Sequence, residues 1–87
     1  MFIVISYDIT DNKRRNKVLD KLKNYGNHVQ YSVFECDITE AQISQLQNRI
    51  AVIINPRKDS VLYYYMCRAC MGKCEVQGRD KTAYNEF

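Results

Sequence analysis

No apolar run in this sequence approaches the ~20 residues that a membrane-spanning helix needs, so no membrane partner is expected. The amino terminus lacks a charged region followed by an apolar stretch and a small-residue cleavage site. A signal peptide is therefore not expected, and the cytoplasm is the default location. Glycine is scarce, at three residues, and none of them builds a glycine-rich phosphate loop. The one histidine, His28, has no serine or cysteine arrangement beside it that points to nucleophilic catalysis. Repeats, low-complexity tracts and internal linkers are absent. Neither sign of charge dominates: thirteen Lys+Arg against ten Asp+Glu leave a net +3. That mildly basic balance admits a nucleic-acid partner without demanding one.

What is present is apolar for its size. The 87 residues are 46% hydrophobic and include seven tyrosines. One domain of this length is near the lower limit for a self-sufficient core, so part of the apolar surface is expected between subunits. Without secretion, the four cysteines are expected as reduced thiols.

The chain opens on Phe2-Ile3-Val4-Ile5-Ser6-Tyr7-Asp8, a β-branched run that ends on a carboxylate. Its apolar residues fall on both strand faces, which predicts a central strand covered on both sides. Thr10 or Asp11 then caps a helix, in which Val18, Leu22 and Tyr25 recur at helical spacing with Leu19 beside them, before Gly26 ends it. Steps of 100° place Arg15 on the line of Val18 and Leu22, with Arg14 at its border and Lys17 and Lys21 farther round. Arg14 and Arg15 should therefore lie near Asp8. Residues 28–38 suit two short strands with a tight turn between Tyr31 and Glu35. Thr39-Glu40-Ala41-Gln42 matches a capping box, and Ile43, Leu46, Ile50 and Ile53 make the stripe of a second helix, stopped by Asn55-Pro56. Arg57-Lys58-Asp59 reads as a polar loop. Ser60 to Cys67 is a strand with Val61, Tyr63 and Tyr65 on one face and Leu62, Tyr64 and Met66 on the other. Cys74-Glu75-Val76-Gln77 reads as a short last strand ended by Gly78.

The order β-α-β-β-α-β with a short extra strand predicts an α+β, ferredoxin-like sandwich over residues 1–78, followed by a polar tail, residues 79–87. Its two helices cover one sheet face, yet the first and fourth strands are apolar on both. A second copy of the chain is the simplest cover for the other face, so a homodimer with facing sheets is expected.

Three chemistries present themselves. Asp8 at a strand end suits Mg²⁺, which binds one or two carboxylates and keeps several waters; a twofold axis would bring two copies of it together. The alternative is a carboxylate that caps the following helix or pairs with Arg15. Lys13, Arg14, Arg15, Lys17 and Lys21 form a basic helix that either faces phosphates or solvates the surface. Tyr7, Tyr31 and Phe34 suit base stacking, with packing inside strands as the alternative. Cys67-x-x-Cys70-x-x-x-Cys74, with Cys36 elsewhere, gives a weak zinc spacing, and buried thiols are the better reading.

Several segments together resemble the CRISPR-associated protein 2 family. They are Ile5-Ser6-Tyr7-Asp8-Ile9-Thr10-Asp11, Lys13-Arg14-Arg15, Val29-Gln30-Tyr31-Ser32-Val33-Phe34-Glu35-Cys36, Pro56-x-x-Asp59-Ser60-Val61 and Cys74-Glu75-Val76-Gln77-Gly78. The resemblance implies a ferredoxin-like homodimer with facing sheets, the last strand adding to the partner's sheet. It implies Mg²⁺ or Mn²⁺ held near the interface by Asp8 of both subunits, and site positions at Tyr7, Asp8, Arg15 and Phe34. Lys17 and His28 stand where some relatives have arginine. Two functions follow from it. One is a scaffold in spacer acquisition that bridges the integrase, CRISPR-associated protein 1, on foreign DNA. The other is a metal-dependent endonuclease on RNA or DNA, including toxin-like cleavage of mRNA with no scaffold role.

Overall fold

The computed structural model describes residues 1–66 and 73–79. Seven elements follow one another: β1 (Phe2–Asp8), α1 (Asn12–Lys23), β2 (Asn27–Gln30), β3 (Val33–Asp37), α2 (Glu40–Ala51), β4 (Ser60–Tyr65) and β5 (Cys74–Gly78). They form one antiparallel sheet in the order β2-β3-β1-β4-β5. This is the expected split βαβ arrangement, with β1 in the middle and β5 added outside β4.

Alternation along the strands sorts the core. Ile3, Ile5 and Tyr7 of β1 lie opposite Tyr65, Tyr63 and Val61 of β4, and Ile3 and Ile5 lie opposite Cys36 and Phe34 of β3. All of these are buried beneath Val18 and Leu22 of α1 and Ile43, Leu46 and Ile50 of α2. The second face carries Phe2, Val4, Ser6 and Asp8 of β1 beside Leu62 and Tyr64 of β4, with Met66 just beyond. Here Phe2 is 41% and Met66 47% exposed, although Leu62 is buried.

Local sequence fixes the helix starts. Asp11 is the cap of α1, its carboxylate accepting the Arg14 N–H at 2.9 Å. That bond holds the Asp11 carboxyl below its ordinary range. The capping box of α2 is present in both directions: Thr39 Oγ1 accepts from the Gln42 N–H at 3.1 Å, and Gln42 Oε1 accepts from the Thr39 N–H at 2.9 Å.

Several expectations need correction. Helix α2 stops at Ala51, ahead of Asn55-Pro56, because Ile53 and Ile54 both turn their N–H groups back to the Ile50 carbonyl. Helix α1 ends at Lys23 with Asn24 as its cap, and Gly26 serves the next strand instead. A Cβ on Gly26 would sit 2.3 Å from the Glu35 carbonyl and 2.5 Å from Cys36 Sγ, so only glycine lets this corner approach β3. The β2–β3 turn falls at Tyr31-Ser32, inside the expected span from Tyr31 to Glu35, with a register shift between His28 and Gln30.

Strand β5 pairs with β4 of the same chain, from Ser60↔Gly78 to Tyr64↔Cys74. Side chains secure that placement. Tyr63 Oη donates to Gln77 Oε1 at 2.5 Å, Gln77 Nε2 donates to the Gln47 carbonyl at 2.7 Å, and Tyr65 Oη donates to Glu75 Oε1. Among the described residues no helix is long and apolar enough to cross a membrane.

Candidate functional site at the end of β1

Asp8 closes β1 and lies across from Ser60, the first residue of β4. Strand alternation turns Tyr7 inward and leaves Asp8 exposed on the second face. The two neighbours thus serve different surroundings. Tyr7 is only 5% exposed. Its phenol donates to the Tyr31 carbonyl at 3.4 Å, and its N–H donates to the Ser32 carbonyl at 3.1 Å. Burial raises the Tyr7 pKa, and the charge of Arg15 works against that rise. Tyr7 is therefore a neutral donor at physiological pH that fastens the β2–β3 turn to β1.

The two arginines expected near Asp8 diverge. Arg14 crosses to the start of β4, its Nε donating to Asp59 Oδ2 at 2.7 Å and its Nη2 to Asp59 Oδ1 at 3.2 Å. This hydrogen bond to Asp59 raises the Arg14 pKa. Asp59, read as the end of a polar loop, is fully buried and also accepts the Asn55 N–H at 2.8 Å. Arg14 is thereby corrected: its guanidinium fork is occupied by a carboxylate, which leaves it a tie between α1 and β4 more than a phosphate contact. Gly78 completes the corner with φ +83°, where a Cβ would meet the Asp59 carbonyl at 2.3 Å. Arg15 instead turns toward the β1–α1 loop. Its Nη1 lies 3.4 Å from the Ile9 carbonyl and 3.5 Å from that of Thr10, and its Nη2 donates to Asn12 Oδ1. Lys13 and Lys17 are exposed and Lys21 is half-buried, one above another at i, i+4 spacing on α1.

The β2–β3 hairpin carries the aromatic residues. The His28 ring stacks on Phe34 at 4.7 Å between centroids and 8° between planes, and its Nε2 contacts the Tyr31 carbonyl. Tyr7 meets the same phenyl ring at 6.4 Å, tilted by 36°. Phe34 is fully buried, so a base has no access to its ring; this corrects its assignment to nucleic-acid contact. The exposed aromatic is Tyr31 at the hairpin tip, 90% exposed.

Metal chemistry finds limited support in one chain. No group of three His, Cys, Asp or Glu side chains comes together among the described residues. Asp8 is one exposed carboxylate, and the buried Ser60 Oγ across from it has no hydrogen-bond partner. A carboxylate beside an unsatisfied hydroxyl fits one side of a hydrated Mg²⁺ or Mn²⁺, with the remaining ligands from water or a second copy. The zinc spacing fares differently. Cys67 and Cys70 lie outside the described residues. Cys36 faces the helices opposite Ile3, whereas Cys74 faces the other side opposite Tyr64. Burial pushes the Cys36 thiol up to about 11, which keeps it a neutral core residue.

Comparison with known proteins adds the following. A sequence model of the family described as CRISPR associated protein Cas2 matches residues 1–74. A protein named CRISPR-associated endoribonuclease Cas2 3 from Synechocystis sp. is 39% identical over 79 residues, 90% of this chain and 86% of that one. One of the same name from Chloroflexus aurantiacus is 41% identical over 78 residues, 90% of this chain and 84% of that one. The crystal structure of Streptococcus pyogenes Cas2 superimposes with a TM-score of 0.74 at 32% identity, covering 78% of this chain and 88% of that one.

Proposed function

The chain belongs to the CRISPR-associated protein Cas2 family, and on that premise we propose that it acts in spacer acquisition as a dimeric nucleic-acid-binding subunit. In this reading it bridges the integrase, CRISPR-associated protein 1, on foreign DNA. The observation that carries it is the second sheet face, where exposed Phe2 and Met66 accompany half-buried Val4 and Tyr64 while the opposite face is closed by helices. Pairing two such faces covers them and brings both copies of Asp8 toward one axis. Lys13, Lys17 and Lys21 then form the outer phosphate-binding row, joined by Arg15 near the end of β1.

A second reading, metal-dependent cleavage of a phosphodiester, is favoured by the exposed Asp8 beside the unsatisfied Ser60 hydroxyl. The relatives named endoribonuclease favour RNA as its substrate. A bound Mg²⁺ or Mn²⁺ would supply Lewis-acid stabilisation of phosphate charge. In this chain Asp8 and Ser60 would hold it, Arg15 would face the phosphate, and Tyr7 would position the hairpin from beneath.

One substitution separates the readings. Asp8→Asn keeps the shape and removes the charge. Light scattering should still give about twice the 10.3 kDa chain mass, and DNA binding and integrase-dependent spacer integration should persist. Mn²⁺-dependent hydrolysis, if it belongs to this site, should fall by orders of magnitude. Loss of integration with an intact dimer would reject the scaffold, and a monomer in the unsubstituted chain would reject the facing-sheet assembly.

A further inference from the structure

We infer that Tyr31 is a stacking platform for an unpaired base of a bound nucleic acid, and that Tyr7, His28 and Phe34 act by holding it in place. This rests on the nucleic-acid-binding reading above and adds to it the contacting residue and the class of ligand.

The argument begins with how the tip is fixed. Both the Tyr7 phenol and His28 Nε2 converge on the Tyr31 carbonyl, and the Tyr7 N–H takes the carbonyl of Ser32. Below them Phe34 fills the space between the His28 and Tyr7 rings. Every one of these contacts uses the backbone of residues 31–32 or a neighbouring ring. None uses the Tyr31 ring, which stands 90% exposed on a backbone that is held from two sides. An exposed tyrosine on a frayed loop would lose conformational freedom on binding; one on a clamped turn has already lost most of it. A flat π-face presented in this way suits a base, because every base has a π-face of its own.

Charge on the β1–α1 loop points the same way. Arg15 is anchored on the Ile9 and Thr10 carbonyls, and its field reaches the Tyr7 phenol that binds the Tyr31 carbonyl. A cation whose field reaches the residue that holds the turn gives a nucleotide's phosphate a partner on the neighbouring loop, while the exposed ring takes its base. Duplex DNA satisfies the cation alone, since its bases are already stacked. The platform therefore selects single strands, frayed ends or loops.

The test uses the full-length dimer and a short single-stranded oligonucleotide carrying one 2-aminopurine. Stacking on Tyr31 quenches that fluorophore on binding. Tyr31→Ala should abolish the quench and weaken single-strand binding roughly 10- to 100-fold, leaving the affinity for blunt duplex and the salt slope unchanged. Tyr31→Trp should restore both the quench and the affinity. Tyr7→Phe, which removes one strut, should give a partial loss of quench. Arg15→Ala should lower the salt slope by about one while keeping the quench. Unchanged quench and affinity in Tyr31→Ala would overturn the platform while leaving the basic-helix reading intact. Failure of the unsubstituted protein to bind single strands would overturn it too, and duplex binding measured alongside would show whether the broader reading survives.

Discussion

The two faces of the sheet are built from similar residues and do different work. Under the helices, Ile3, Ile5, Phe34, Val61 and Tyr63 are all fully buried within one chain. On the other side, Phe2, Val4, Tyr64 and Met66 are apolar or aromatic yet keep part of their surface in water. Residue type does not distinguish the faces; the helices do. The covered face is where the fold's free energy resides, and the open face carries the Asp8 carboxylate and the surface that the proposed dimer would bury.

The largest expected effect tests the covered face. Leu46→Ala, at a fully buried position, should destabilise the chain by about 2–5 kcal/mol in urea unfolding. Val4→Lys, on the open face beside Glu35 of β3, should leave the folded chain nearly as stable while preventing dimers in light scattering. Equal destabilisation by both substitutions would erase the distinction between the faces.

A smaller effect concerns pH. The Cys36 thiol is raised from 9.0 to about 11 by burial. The unfolded chain ionises this thiol first, so its contribution to stability is complete below pH 9 and is lost as pH approaches 11. About 2 kcal/mol should disappear over that window, and Cys36→Ala should flatten this part of the profile despite a lower starting stability. Tyr63, pushed up by burial in the same layer, adds a further loss that begins near pH 10.0 as the unfolded phenol ionises. A flat profile from pH 9 to 11 would mean that this face admits water.

A further pair of substitutions separates the adjacent arginines. Arg14→Ala should lower the melting temperature by stranding the buried Asp59 carboxylate, with little change in the salt dependence of DNA binding. Arg15→Ala should do the reverse and reduce the slope of log K against log salt by roughly one unit. Identical behaviour of the two would return both to a general basic surface.

Much of this was legible in the residues. The β-branched run of β1, the capping box at Thr39 and the helix stripes are local signals, and each element formed there, although both helices end before the last stripe residues, Tyr25 and Ile53. Asp8 at a strand end and the lysines of α1 were also readable from position alone. The fate of Arg14 was not, because its partner Asp59 is 45 residues away and looks like any loop aspartate. The choice between stacking and packing for Phe34 stayed open for a related reason. Whether a strand aromatic points in or out depends on register, and here β3 pairs with β1 so that Phe34 lies opposite the buried Ile5. Tyr31 is set apart by its place at the β2–β3 turn, which the sequence located no more closely than residues 31–35.

Strand β5 is keyed to its neighbours by chemistry that does not depend on which molecule supplies it. Glu75 and Gln77 meet the hydroxyls of Tyr65 and Tyr63, and Gln77 also reaches the Gln47 carbonyl of α2. Tyrosine hydroxyls and a helix carbonyl recognise spacing along a strand, and a second copy of the chain carries the same spacing. Its last strand would fit the same lock without a new contact being invented. Exchange of this strand between two molecules would therefore be nearly neutral in hydrogen bonds, leaving chain concentration and the stretch between β4 and β5 to decide which arrangement prevails.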